Sequence, residues 1–166
     1  MFEHRGSPSI DQVLDDFERD GVIARHPATA RRFAATRTRL LAYLATDAQR
    51  ALLPDERVLL TSERQFAPLG AFSRVFGASV LIAALPGFLD AGWLPRQAYD
   101  ARAQIRFAEL LCDWILARRL VDAGEMSCLV YEVRDAARGA RAAIPTTSGE
   151  PGPTLGPAAR PAAHEA

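Results

Sequence analysis

The chain has 166 residues, and its twenty basic side chains are balanced by twenty acidic ones, so the formal net charge is zero. Hydrophobic residues make up 49% and charged residues 24% of the sequence, which excludes a disordered or fibrous chain and is typical of one globular domain. The longest apolar run, residues 80–89, is too short for a membrane span and is interrupted by Pro86, so we expect no membrane association.

The first predicted helix covers residues 9–21. Ser9 is of the type that caps a helix N-terminus, and Gln12 three residues later completes a capping box. Gly21 stands where a helix commonly ends. The apolar residues that recur at helical spacing in this segment are Ile10, Val13, Leu14 and Phe17.

A second helix is predicted from Pro27, because proline is tolerated in the first turn of a helix. It should end near Thr46, where Thr46 and Gln49 have the spacing of a new capping box. The apolar stripe of this helix consists of Phe33, Leu40, Leu41 and Leu44.

A short helix is then predicted from Pro54, followed by a looser aromatic stretch over residues 65–77 that contains proline and glycine. Residues 79–85 are the most apolar element and are expected to form a buried central helix. Pro86 and Gly87 predict a break in that helix.

The longest predicted helix runs from about residue 100 to 121. Its inward face should hold Ile105, Ala108, Leu111, Cys112, Ile115 and Leu116. Residues 127–141 include strand-like side chains, but no second strand pattern exists to pair with them, so a helix is preferred there.

The fold expected is therefore all-α, a single compact bundle of five to seven helices over residues 8–143. Residues 144–166 are rich in proline, glycine and alanine without apolar periodicity, which predicts a disordered tail. The N-terminus has no apolar segment typical of a secretory signal. Cys112 and Cys128 have neither metal-binding nor C-x-x-C spacing, so a reducing cytoplasm is expected.

No catalytic constellation is evident, and neither a metal ion nor a cofactor is expected. The three histidines lie apart in the sequence, and there is no glycine-rich phosphate loop. Residues 19–26 hold an arginine and a histidine in a pattern similar to the Arg–x(4–6)–His motif of the HEPN ribonucleases. Gly21 and Pro27 bracket that segment, which favours a connection between helices over a ribonuclease site.

Residues 25–45 contain five arginines and no acidic residue. Arg32 and Arg39 are seven residues apart and share one side of the helix. Arginine and threonine side chains suit phosphate oxygens. The DNA contacts predicted on this helix are Arg25, Thr29, Arg32, Thr36 and Arg39.

The same arginines also fit two interpretations that involve no DNA. All twenty basic residues of the chain are arginine, as expected for a GC-rich bacterial genome. The arginines could also lie on an ordinary solvated helix and pair with acidic residues of the preceding helix, such as Asp15, Asp16 and Glu18.

Residues 26–44 resemble the opening helix of the SAM-like core-binding domain of tyrosine recombinases and phage integrases. The matching positions are Pro27, Thr29, Phe33, Leu40, Leu41, Tyr43 and Leu44. Residues 103–126 are similar to a later helix of the same domain. His26 replaces the usual serine, and Arg37 stands where leucine is common.

The resemblance implies a helical bundle that grips one side of DNA while a separate domain cleaves it. That catalytic domain is not recognisable in this sequence. A non-catalytic DNA-binding module is therefore the function predicted first, with DNA and a recombinase catalytic domain as its expected partners.

The alternative of a different class is a helical protein–protein module that self-associates. The segment 66–94 is rich in aromatic residues and broken by glycine and proline, which favours a partner surface. The residues predicted for that surface are Phe66, Phe72, Phe76 and Trp93.

Overall fold

The computed structural model describes residues 7–21 and 27–145. These residues form seven α-helices and a short 3-10 helix, with no β-strand among them, which confirms the predicted all-α fold. The α-helices are α1 Ile10–Arg19, α2 Pro27–Thr46, α3 Pro54–Phe66, α4 Ala71–Val75, α5 Ala78–Phe88, α6 Ala98–Ala117 and α7 Ser127–Ala143, and the 3-10 helix is Ala48–Ala51 between α2 and α3.

The start of α1 has the predicted cap. The Ser9 backbone N–H donates to the Gln12 side chain at 2.9 Å, and the Gln12 backbone N–H donates to the Ser9 hydroxyl at 3.3 Å. Gly21 follows the helix with a φ of 65°, the left-handed region that glycine adopts without strain. The backbone N–H of Ile10 also donates to the Phe76 carbonyl at 2.8 Å, which ties the start of α1 to the end of α4.

The predicted end of α2 is confirmed, but the capping box beyond it is wrong. The Thr46 hydroxyl donates back to the Ala42 carbonyl at 3.0 Å and therefore does not cap the following turn. The 3-10 helix begins after Asp47 without a side-chain cap. Threonine can satisfy its hydroxyl within its own helix, so the residue type alone does not fix a cap.

The break predicted at Pro86 is also wrong, because α5 continues through it to Phe88. Proline removes only one helical hydrogen bond here, and the helix ends two residues later. Gly87 has a packing role in the same turn. A Cβ atom at this position would collide with the Tyr43 hydroxyl of α2.

The core surrounds α5, against which α1, α6, α7 and the 3-10 helix pack. An aromatic cluster joins α1, α2 and α6 beside it. The Phe107 ring contacts the Phe17 and Phe33 rings edge to face, with centroid distances of 5.5 and 5.6 Å. Trp114 contacts Phe17 in the same manner at 5.6 Å. Such pairs add about 0.5–1.5 kcal/mol beyond the burial of their surface.

Helix α6 ends at Ala117, before the predicted residue 121, because Arg119 takes a left-handed φ of 54°. The backbone N–H of Leu120 donates to the Ile115 carbonyl at 3.1 Å, and that of Arg119 donates to the Leu116 carbonyl at 3.0 Å. This is the Schellman arrangement of a helix C-terminus, in which arginine takes the place that glycine usually fills.

The helix preferred for residues 127–141 is confirmed as α7, which buries Val130, Val133, Ala137 and Ala140. The predicted disordered tail lies outside the described residues from residue 146 onward. Among the helices described, none is long and apolar enough to cross a membrane.

Candidate functional site

The side of α2 predicted to face DNA is turned toward α6. Thr36 has 0% of its surface exposed, so the prediction that it contacts DNA is wrong. Its hydroxyl donates to the Arg32 carbonyl at 2.8 Å and accepts a hydrogen bond from Arg39 Nη2 at 3.1 Å. Both functions of the hydroxyl are therefore used inside the protein.

Arg39 hydrogen-bonds to a buried amide of α6 across this interface. Its Nε donates to Gln104 Oε1 at 3.0 Å. Gln104 is fully buried, and its Nε2 donates to the Phe88 and Trp93 carbonyls at 2.8 and 3.1 Å. Arg39 thus helps to satisfy a polar group in the core, a structural role that the spacing of α2 did not reveal. The available signal was Gln104 itself, one amide on an otherwise apolar stripe.

Arg32 is the member of the predicted set that lies beside an exposed aromatic ring. Its guanidinium is 3.4 Å from the Asp100 carboxylate and 5.8 Å from the centre of the Tyr99 ring. Arg102 lies 5.9 Å from the same ring. Tyr99 is 70% exposed, so this cluster of two arginines and a tyrosine, the Tyr99 cluster, faces solvent.

The remaining predicted DNA contacts do not extend this cluster. Arg25 lies outside the described residues, and Thr29 is half-buried on α2. Arg37 instead pairs with acidic residues of the preceding helix, since its guanidinium lies 2.6 Å from the Asp15 carboxylate and 2.5 Å from that of Glu18 on α1. This arginine joins the first two helices.

The predicted aromatic partner surface is only partly exposed. Phe72 and Phe76 are buried and contact each other at a centroid distance of 4.9 Å, so the prediction that they face a partner is wrong. Trp93 is half-buried, and its Nε1 donates to the Asp47 carboxylate at 2.8 Å. Phe66 is 85% exposed, as a partner surface requires.

A larger apolar surface lies around Phe66 on α3. Leu60 is the one residue of this helix that is buried. Five of the seven large hydrophobic residues that are exposed in the described part of the chain lie between residues 53 and 69. We call these five the α3 surface: Leu53, Val58, Leu59, Phe66 and Leu69. Sequence reasoning found only Phe66, although the apolar residues on more than one side of α3 were a signal for the rest.

The two ends of α3 have opposite charges. Asp55 is exposed in the first turn, and the Glu56 carboxylate accepts a hydrogen bond from the Leu53 backbone N–H at 2.8 Å. At the other end, Arg74 donates to the Ala67 carbonyl at 2.6 Å and pairs with Glu63 at 3.1 Å. The acidic first turn and Arg64, the basic residue of the last turn, complement the dipole of α3.

An open pocket of about 610 Å³ lies between the end of α2, the 3-10 helix and the turn after α5. We call it the aromatic pocket, because Tyr43 and Trp93 line it and their rings meet edge to face at a centroid distance of 5.3 Å. Asp47, Arg50 and Asp90 supply its charged groups. Burial, followed by the negative charges of Asp90 and Asp47, raises the pKa of Tyr43 to about 12.

The described residues contain no evident catalytic centre. No cluster of histidine, cysteine and carboxylate side chains that could hold a metal ion occurs in residues 7–21 and 27–145. Burial raises the pKa of the Cys112 thiol to about 11, which keeps it protonated and poorly nucleophilic near neutral pH. Of the ribonuclease-like pattern, Arg19 pairs with Asp16, and His26 lies outside the described residues.

Comparison of the chain with protein-family models, with curated proteins and with solved structures found no match. The resemblance to recombinase core-binding domains therefore stays a prediction from the sequence, as does a recombinase catalytic partner. The function is therefore inferred from the α3 surface, the Tyr99 cluster and the aromatic pocket.

Proposed function

We propose that this protein is a helical protein–protein interaction module that self-associates through the α3 surface. The observation that carries the proposal is the concentration of exposed large apolar side chains between residues 53 and 69, with Phe66 and Leu69 exposed by 85% and 88%. Single exposed apolar residues are normal on a protein, whereas several large ones concentrated in one short segment favour an interaction site.

The helical positions of these side chains suit a helix–helix contact. Leu59 and Phe66 are seven residues apart and so lie on the same side of α3, with Val58 on the flank of that side. Leu60, about 100° around the helix from Leu59, is buried in the core. Full burial of one such side chain contributes about 1.5–3 kcal/mol, and several of them from each partner offset an association cost of about 4–15 kcal/mol.

A second copy of the same chain is the partner that the charges favour. When two copies of α3 pack antiparallel around a twofold axis, the acidic first turn of one helix meets the basic end of the other. Asp55 would then lie near Arg74 of the second copy, the α4 residue that pairs with Glu63 of its own chain. The same contact occurs twice in the symmetric pair, which supports this orientation over a parallel one.

Sedimentation velocity at increasing protein concentration tests the proposal. We expect the mean mass to rise with concentration for the natural sequence, and Phe66→Glu to abolish the rise because it buries a charge in the contact. Tyr131→Glu is the matched control, since Tyr131 is also a largely exposed aromatic residue, on α7. A constant monomer mass up to about 0.5 mM, or an equal effect of both substitutions, would contradict the proposal.

DNA binding, the function predicted first from the sequence, is the second candidate, now centred on the Tyr99 cluster. An exposed aromatic ring between arginines supports it, because bases stack on such rings while arginines bind the backbone. Arg31 and Arg106 are also exposed, and neither forms an ion pair with another described residue. The zero net charge supports only weak long-range attraction of DNA.

Fluorescence anisotropy with labelled single-stranded and duplex DNA tests this second candidate. Contacts from Arg32 and Arg102 to two phosphates predict a slope of about −2 in the plot of log affinity against log salt concentration. Tyr99→Ala should weaken binding of the single strand, and Arg32→Ala should reduce the slope by about one. Absence of a complex at about 50 mM salt would exclude DNA binding by this cluster.

A further inference from the structure

The aromatic pocket goes beyond the proposed function, because it is lined by residues of α2, the 3-10 helix and α5 rather than by the α3 surface. Trp93, which is half-buried, and the largely buried Tyr43 form part of its wall. The hydrogen bond from Trp93 Nε1 to the Asp47 carboxylate fixes the indole, and the Tyr43 ring packs against it. Contacts within the fold therefore hold these side chains in place.

Two glycines line the pocket, and one of them is required by its shape. Gly87 leaves the space that the Tyr43 hydroxyl occupies, since a Cβ atom there would collide with that oxygen. Gly92, on the turn after α5, has nothing within 4 Å of the position of a Cβ atom, so the pocket is open on that side. The hydroxyl of Tyr43 donates to no other described residue and remains available to a ligand.

The charges of the pocket favour a positively charged ligand. Asp90 is exposed and its carboxylate pairs with no other described side chain, whereas Asp47 is held by Trp93. Arg50 also lines the pocket and forms no ion pair within the described part of the chain. Two carboxylates and one guanidinium leave a net charge of about −1 in the pocket at neutral pH.

We propose that the aromatic pocket binds a small organic ammonium compound against the Trp93 ring and the Asp90 carboxylate, beside the Tyr43 hydroxyl. Aromatic rings attract an ammonium group through their quadrupole, and a carboxylate adds a direct charge interaction. A volume of about 610 Å³ accommodates a molecule of several carbon atoms. Arg50 is placed to bind the carboxylate of a ligand that carries one, as an amino acid or a betaine does.

Titration of the ¹⁵N-labelled full chain, followed by NMR, tests the proposal. The chain has two tryptophans, and Trp114 lies on α6 with its Nε1 bonded to Asp20 at 2.9 Å, so its indole signal is an internal control. The probes are choline chloride and glycine betaine, with sodium chloride at the same ionic strength as the reference. We expect choline to shift the Trp93 indole signal saturably, and sodium chloride to leave it in place. Trp93→Phe assigns the two signals.

Variants then separate the pocket from a general ionic effect. Asp90→Asn should weaken choline binding about fivefold. Glu132→Gln, which removes an exposed carboxylate on α7, is the matched control and should leave the affinity unchanged. Arg50→Gln should strengthen choline binding and weaken betaine binding, because the guanidinium repels the first and attracts the carboxylate of the second.

Three results would overturn the proposal. They are a Trp93 signal that shifts with neither choline nor betaine up to about 10 mM, a shift that sodium chloride reproduces, and an affinity that Asp90→Asn and Glu132→Gln change equally. A shift by betaine alone, lost in Arg50→Gln, would keep the ammonium site and identify zwitterions as its ligands.

Discussion

Helix α2 packs a polar side against a neighbouring helix, whereas α3 exposes apolar side chains to solvent. Both arrangements are the reverse of what the residue types predict. The arginine and threonine side of α2 contacts α6, where Arg39 and Thr36 are hydrogen-bonded inside the fold. On α3, by contrast, Leu59 and Phe66 face solvent. Helical spacing tells which residues share a side, but the neighbouring helices decide whether that side is covered.

The largest expected difference between these regions is in stability. Phe107→Ala should lower the free energy of unfolding by about 3–5 kcal/mol, because it removes the ring that Phe17 and Phe33 pack against in the α1–α2–α6 cluster. Phe66→Ala should change it by less than about 0.5 kcal/mol in the monomer. Urea denaturation at low protein concentration measures both, and similar losses would show that α3 packs into the core.

A smaller loss is expected from the buried amide between α2 and α6. Gln104→Leu leaves the carbonyls of Phe88 and Trp93 without their donor, and should lower the free energy of unfolding by about 1–3 kcal/mol. Gln97→Leu is the matched control, because Gln97 is exposed and its side chain caps nothing at the start of α6. If both variants unfold at the same urea concentration, the polar network does not stabilise the α2–α6 contact.

The smallest expected effect is a pH dependence from Tyr43. Its pKa is about 12 in the folded chain and about 10 in an unfolded one, chiefly because of burial. The unfolded chain therefore loses the proton first, so this stabilisation is complete below pH 10 and is lost as the pH rises toward 12.

The free energy of unfolding should fall between about pH 10 and 12 in the natural sequence, and Tyr43→Phe should reduce that fall by roughly 1–2 kcal/mol. Tyr131→Phe, at an exposed position, is the control, and its free energy of unfolding should fall with pH as much as that of the natural sequence. The measurement is urea denaturation at several pH values. An unchanged pH dependence in Tyr43→Phe would show that the hydroxyl ionises as freely in the folded chain as in the unfolded one.

The helices could be predicted largely from local signals. Ser9 and Gln12 cap α1, Pro27 and Pro54 begin α2 and α3, and the 127–141 segment is helical. These features depend on residues a few positions apart, so one sequence contains them. The errors at Thr46 and Pro86 arose where a hydroxyl bonded within its own helix and where burial of an apolar helix outweighed the cost of a proline.

The candidate surfaces were predicted less well, because they depend on contacts between distant segments. Arg39 and Gln104 are 65 residues apart, and nothing in the local pattern pairs them. Phe72 and Phe66 look alike in the sequence, yet the first is buried and the second exposed. Asp90 and Tyr43 meet at the aromatic pocket only because α5 packs beside α2.

The most direct test of the central claim, that the α3 surface is where the protein associates, is the concentration dependence of its amide NMR signals. Between about 20 µM and about 1 mM protein, we predict that shifts and broadening concentrate in residues 53–69 and at Arg74, and spare residues 99–106. Unchanged spectra across that range, or changes centred on Tyr99, would contradict the account.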